Sequence, residues 1–186
     1  MPTVQPDMPI KFLTNSPNFS LVLPGTCNAR CSFCFWQEEK EAKLKDFLLN
    51  LDRSLKALPL EFKQISITGG EPTLSPLFED VLALIKQHRN LEGSSWNKVV
   101  LTTNGHNLKV MMKYLRGVVD HVNISRHAIK DEDNQAIFGT DTVPTAADLY
   151  KLTQSLNKRG IDATLNVVLP SLEMDSPEML QEWDLY

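Results

Sequence analysis

Cysteine is scarce in this sequence. There are three in 186 residues, an odd count that argues against a secreted disulfide framework and for reduced thiols or metal ligands. Long apolar runs are missing as well. The longest, Val81 to Ile85, holds five residues, against roughly 18 for a bilayer-spanning helix, so no membrane span is expected. The first residues lack the basic stretch and apolar run of a secretory signal, which makes the cytosol, and a cytoplasmic protein, the default expectation. Positive charge is not in excess either. The net charge is −4, and five acids fall after Pro170, leaving the rest nearly neutral. With no basic stripe interleaved with aromatics, nucleic-acid binding has no support. Repeats, low-complexity tracts and Pro- or Gly/Ser-rich linkers are absent.

Apolar residues make up 42% and charged residues 23%, enough for a real core in a chain the size of one domain. Short runs rich in Ile, Val, Leu and Thr at 19–23, 64–68, 98–103, 118–125 and 161–169 are read as strands. Between them, apolar residues recur at three- and four-residue steps: Leu44, Phe47, Leu48, Leu51, Leu55 and Leu58, then Leu77 to Ile85, then Leu108 to Leu115, then Leu149, Leu152 and Leu156 before Gly160. Each is one buried helical face. A fifth helix is expected near Pro177. Strands alternating with helices imply parallel pairing through crossovers, an α/β architecture. In such folds the loops after the strands share one rim. Here that rim collects Pro24-Gly25-Thr26-Cys27, Gly69-Gly70-Glu71-Pro72, Asn104-Gly105, Arg126-His127 and Pro170-Ser171.

All three cysteines lie in Cys27-Asn28-Ala29-Arg30-Cys31-Ser32-Phe33-Cys34, a C-x3-C-x2-C spacing. Random placement would produce it about twice in ten thousand trials, so the spacing calls for an explanation. A short loop of this kind can wrap three soft sulfur ligands around one side of an iron–sulfur cluster, leaving one iron of a [4Fe–4S] cube open, as catalytic metal sites do. A structural zinc with three cysteines and a histidine is the competing reading. His88, His106, His121 and His127 stand at none of the usual short spacings. An electron-transfer ferredoxin needs a fourth cysteine and a smaller chain.

The triad with aromatic Phe33, followed in order by Gly69-Gly70-Glu71-Pro72, Thr103-Asn104-Gly105, Asn123-Ile124-Ser125 and Asn166-Val167-Val168, resembles the radical S-adenosylmethionine (SAM) superfamily. Within it, the core is similar to that of the enzyme forming cyclic pyranopterin and, more loosely, to viperin. The resemblance implies a partial (β/α)6 half-barrel of parallel strands over residues 18–170. Residues 1–17 are then an N-terminal extension, and 171–186 an acidic C-terminal helix or truncated end. Too few residues follow Pro170 for a sixth strand, so the half-barrel is expected to lack it. An open edge left there invites a protein partner.

The resemblance further implies a [4Fe–4S] cluster on Cys27, Cys31 and Cys34, with SAM on its open iron. Reductive cleavage of SAM then yields a 5′-deoxyadenosyl radical that takes hydrogen from a small-molecule, nucleotide or peptide substrate. The cofactor carries that chemistry and the protein binds and orients it. An electron donor such as flavodoxin or ferredoxin is implied. By the same resemblance the Phe33 backbone meets adenine, and Gly69, Gly70, Glu71 and Pro72 receive the SAM amino group. Two glycines also permit close backbone approach in their own right, and Pro72 stiffens the exit. Ser125 matches a contact to ribose or carboxylate, and Arg126 can pair a carboxylate bidentately, although a solvent-facing arginine is an equal reading. Asn166, in an apolar strand, is expected to be a buried amide facing a ligand or a neighbouring strand. Asn104 is a ligand or a plain turn former. His127 is a rim histidine with no assigned role, and Trp36 is expected to shield the cluster. No residue is assigned to the catalytic step. The alternatives are a non-catalytic iron–sulfur or SAM-binding module, and an activating enzyme that installs a glycyl radical on a partner protein.

Overall fold

The computed structural model describes residues 17–34, 36, 44–58, 62–91 and 96–168. Five strands, β1 (Asn18–Leu23), β2 (Gln64–Gly69), β3 (Lys98–Thr103), β4 (His121–Ser125) and β5 (Asp162–Asn166), form one sheet in that sequential order. All four pairings are parallel. Between the strands run α1 (Leu44–Lys56), α2 (Phe78–Arg89), α3 (Leu108–Leu115), α4 (Asp131–Phe138) and α5 (Ala146–Asn157).

Side-chain alternation along the strands sorts the sheet into two unlike faces. Leu21, Leu23, Ile65, Ile67, Val99, Leu101, Val122 and Ile124 share one face and are buried, joined in a single core with residues of α1, α2, α3 and α5. Each such side chain contributes about 1.5–3 kcal/mol on burial. The register places Ser20, Ser66, Thr68, Thr102, Asn123, Ser125 and Thr164 on the opposite face, where all are at least partly exposed. A doubly wound sheet carries helices on both faces and reverses its strand order. Sequential order, with the described core helices all on one face, is instead that of the wall of an incomplete barrel. No helix among the described residues is long and apolar enough to cross a membrane.

Several expectations are corrected. The fourth strand begins at His121 rather than 118, because Gly117 turns the chain at φ 74° and the amides of Val118 and Val119 both return to the Leu115 carbonyl. The fifth ends at Asn166, and Leu169 lies outside the described residues. Leu77 caps α2 rather than opening it. Leu44, counted on the buried stripe of α1, is exposed. Helix α4 was not expected, nor was the 3-10 turn Pro72–Leu74. The expected extension up to residue 16 and the helix near Pro177 lie outside the described residues.

Candidate functional site

The three cysteines occupy the loop that leaves β1, and that loop is tied down from three directions. On one side, the Glu71 amide donates to the Thr26 carbonyl at 3.1 Å and Ser75 Oγ donates to the Pro24 carbonyl at 2.5 Å. On another, the Arg30 amide donates to the Phe138 carbonyl at 2.8 Å, at the end of α4. Asn28 Nδ2 donates to Thr142 Oγ1 at 2.8 Å, just before α5. A turn closed by the Cys34 amide on the Cys31 carbonyl, 3.2 Å, folds the C-x2-C half back on itself.

All three thiols are free, with Cys34 exposed and Cys27 and Cys31 half-buried. Burial, reinforced by Cys34 and Cys27, pushes the Cys31 thiol up to about 11. Cys27 is raised too, first by burial and, against relief from the Ala29 amide, by Glu71 and Cys34. Cys27 and Cys31, both slow to ionise, are thiols that a cationic metal centre would stabilise as thiolates, releasing protons on binding. A tetrahedral zinc needs its sulfurs within about 4 Å of one another. No group of three His, Cys, Asp or Glu side chains among the described residues is gathered to hold a single ion. Three soft sulfur donors on one short loop form a donor set that fits an iron–sulfur cluster.

The Gly69-Gly70-Glu71-Pro72 turn lies directly against this loop. A Cβ on Gly69, at φ 155°, would stand 2.7 Å from the Leu23 carbonyl oxygen. One on Gly70 would stand 2.9 Å from the Thr26 carbonyl oxygen and 3.1 Å from the Trp36 ring. Both are too close for any larger residue without backbone movement. Trp36 thus packs on the glycine turn. Glu71 and Pro72 are buried. Glu71 Oε1 accepts from the Thr73 amide at 3.1 Å, Thr73 Oγ1 at 2.5 Å and Thr103 Oγ1 at 2.6 Å, and Oε2 accepts from the Asn104 amide at 2.7 Å. The carboxylate is turned inward, clamping the exit of β2 to the exit of β3. Thr103 Oγ1 in turn accepts from the Gly105 amide at 3.0 Å. These hydrogen bonds offset the cost of burying the group.

The exit of β4 is built differently. Arg126 is fully buried, and its Nη2 donates to the Ile129 carbonyl and to Asp131 Oδ1, the latter at 2.8 Å. Asp131 Oδ1 also accepts from the Ala146 amide at 2.9 Å. Burial pulls the Asp131 carboxyl upward, but the Ala146 amide and the Arg126 guanidinium outweigh it and hold the group below its ordinary value. The carboxylate that Arg126 meets among the described residues is an internal one. His127 is buried, its ring edge-on to Phe33 at 5.1 Å and tilted on Phe138 at 4.8 Å. Its Nδ1 accepts from the Val168 amide at 3.1 Å, and its own amide donates to Asn134 Oδ1 at 2.8 Å. Burial pushes its pKa down to about 4. The ring is an enclosed spacer between Phe33 and Phe138.

Ser125 and Asn166 stand side by side at the ends of β4 and β5, on the polar face. Asn166 is exposed rather than buried, because the described helices that build the core cover the other face. Asn104 is buried, its side chain turned toward the cysteine loop, with Nδ2 2.8 Å from Asn28 Oδ1. Gly70, Glu71, Asn104 and the cysteine loop are thus brought together, Phe33 lies on that loop against His127, Ser125 and Asn166 form a second pair, and Arg126 is enclosed. Thr73, Thr142, Asn134 and Phe138 were missed. Only Thr73 left a signal, a hydroxyl two residues after a turn carboxylate.

The model of the Radical SAM superfamily matches residues 21–183. The chain is 32% identical over 166 residues to a probable GTP 3′,8-cyclase of Thermoplasma volcanium, covering 86% of this chain and 48% of that protein. It is 29% identical over 169 residues to an S-adenosylmethionine-dependent nucleotide dehydratase of Flammeovirga pacifica, covering 86% and 55%. Among solved structures, Streptococcus suis SuiB bound to S-adenosylmethionine matches with a TM-score of 0.66 at 20% identity, over 90% of this chain and 35% of that one, a likeness of fold. The chain spans about half the length of the curated relatives it matches.

Proposed function

This chain belongs to the radical SAM superfamily of enzymes, which use a [4Fe–4S] cluster and S-adenosylmethionine, and from that premise we propose that it initiates a hydrogen abstraction on a nucleotide. One observation carries the reading. Three free thiols sit on a loop braced against a glycine turn too tight for any Cβ, at the ends of parallel strands. Cys27, Cys31 and Cys34 hold the cluster. Gly69 and Gly70 keep the backbone bare for the SAM amino group, with Glu71 behind them as the clamp that fixes their position. When bound, cluster and SAM supply reductive cleavage to a 5′-deoxyadenosyl radical. The protein's part is to orient SAM, exclude water and present the substrate.

A nucleotide is favoured over a peptide because the relatives that share sequence are named for nucleotide chemistry, whereas SuiB shares the fold alone. The polar sheet face supports the same choice, offering neutral hydroxyls and amides such as Thr102, Asn123 and Ser125 to a base and a ribose. An external reductant completes the system.

Anaerobic reconstitution with iron and sulfide, followed by dithionite, SAM and a panel of deuterated nucleotides, tests the proposal. The expected result is 5′-deoxyadenosine that carries deuterium from one nucleotide. Replacing any one of Cys27, Cys31 or Cys34 by Ala abolishes both cubane absorbance and SAM cleavage. Zinc in place of iron, or a cubane that binds SAM without cleaving it, overturns the reading in favour of a structural metal or a non-catalytic module.

A further inference from the structure

Cys27 receives directed N–H groups from two sides. The Ala29 amide lies 3.4 Å from its Sγ, and Asn104 Nδ2 lies 4.0 Å away. The orientation of the Asn104 amide is fixed by its partners. Its Oδ1 accepts from the His106 amide at 3.0 Å, which assigns the other end of the group as NH2. One of the two Nδ2 protons goes to Asn28 Oδ1 at 2.8 Å, and the second is left for the sulfur. The backbone is equally constrained, since the Asn104 amide is held by Glu71 Oε2 at 2.7 Å. Asn28 is itself anchored to Thr142. Only 7% of Asn104 is exposed, so its dipole acts with little solvent screening.

An N–H aimed at a cluster-ligating sulfur stabilises the reduced, more negative form and raises the reduction potential. We propose that Asn104 is a positioning residue for Cys27 whose side-chain amide raises the potential of the [4Fe–4S] cluster, easing its reduction before SAM is cleaved. The proposal rests on the cluster assignment above and adds to it a role for a residue that need not touch SAM.

The test is a potentiometric titration followed by electron paramagnetic resonance on the reconstituted protein. Four forms are compared: unaltered, Asn104→Ala, Asn104→Asp and Thr142→Val. Asn104→Ala lowers the potential by a tenfold change in the one-electron equilibrium, about 59 mV. Asn104→Asp keeps the shape, replaces the donor by an acceptor and lowers it further. Thr142→Val loosens Asn28 while leaving the amide in place, and leaves the potential unchanged. Unshifted potentials in both Asn104 variants overturn the inference. So does a Thr142→Val shift as large as that of Asn104→Ala, because loop position would then be the cause. If Asn104→Ala takes up no cluster, the isosteric Asp variant decides. If neither does while circular dichroism shows a native fold, Asn104 serves assembly and the tuning role fails. Absence of any cubane in the unaltered protein overturns the function reading itself, and this inference with it.

Discussion

Glu71 and Arg126 are both buried on the same rim, yet their surroundings differ in kind. Glu71 is satisfied by neutral donors, two amides and two hydroxyls, drawn from its own turn and from Thr103 and Asn104 more than thirty residues away. Arg126 meets a carboxylate five residues ahead, Asp131, whose second bond, to the Ala146 amide, reaches the start of α5. The first corner is a long-range brace that holds cysteine loop, glycine turn and third strand in one geometry. The second, among the described residues, is an ion pair that fixes the entry to α4. A cofactor-orienting geometry depends on the first kind of construction, since small misplacements at a reacting centre cost large factors in rate.

Removing the brace has the largest expected effect. Glu71→Ala leaves the Thr73 and Asn104 amides buried without an acceptor, at about 1–3 kcal/mol each. A loss on the order of 4 kcal/mol in urea unfolding is expected, together with weaker SAM binding by calorimetry. Glu71→Gln retains the shape and one carbonyl oxygen and costs about half as much. A cost below about 1 kcal/mol for Glu71→Ala, or unchanged SAM affinity in a folded variant, breaks the distinction between the two corners.

The Arg126 corner predicts an asymmetry. Asp131→Asn removes the negative charge beside a fully buried guanidinium and costs about 3 kcal/mol. Arg126→Met leaves a carboxylate whose side chain is 35% exposed and can rehydrate, so its cost is nearer 1 kcal/mol. The order of the two values in denaturant titrations is the check. Equal costs would mean that the pair, rather than the buried cation, sets the energy.

Sequence showed the parts whose signal is periodic or combinatorial. The strands were visible in their apolar runs, and the cysteine spacing and Gly69-Gly70-Glu71-Pro72 pointed to one rim before any geometry was available. Helix α4 was invisible because, in eight residues, only Asn134 and Phe138 are buried, too few for a three-to-four period to register. With α4 unseen, Asp131 was unavailable as the partner of Arg126, and Asn134 and Phe138 as the supports of His127. Asn166 was read through the apolar Val167 and Val168, whereas the alternation of Asp162, Ala163, Thr164, Leu165 and Asn166 describes a strand with one open face. The inward turn of Glu71 depends on Thr103, which no local pattern connects to it.

The smallest effect separates the corners by pH. His127 titrates near 6.5 in an unfolded chain and near 4 when buried in the native one. As pH falls below 6.5 the unfolded state takes up a proton that the folded state refuses, so the unfolded state binds more protons and stability declines until about pH 4. Above 6.5 the contribution is constant. Between pH 7.5 and 5.5 the loss is roughly 1 kcal/mol. Asp131 does not share this window, because its carboxyl is held below the ordinary value and its contribution fades only as pH falls below about 4. In His127→Phe a ring still lies between Phe33 and Phe138, the acceptor for the Val168 amide is lost at a pH-independent cost, and this part of the slope disappears. Thermal or urea unfolding of both proteins across pH 5.5–7.5 measures the difference directly. Parallel slopes would show that the His127 ring stays open to water, and that the fourth-strand corner is looser than the Glu71 brace by more than its local pairing requires.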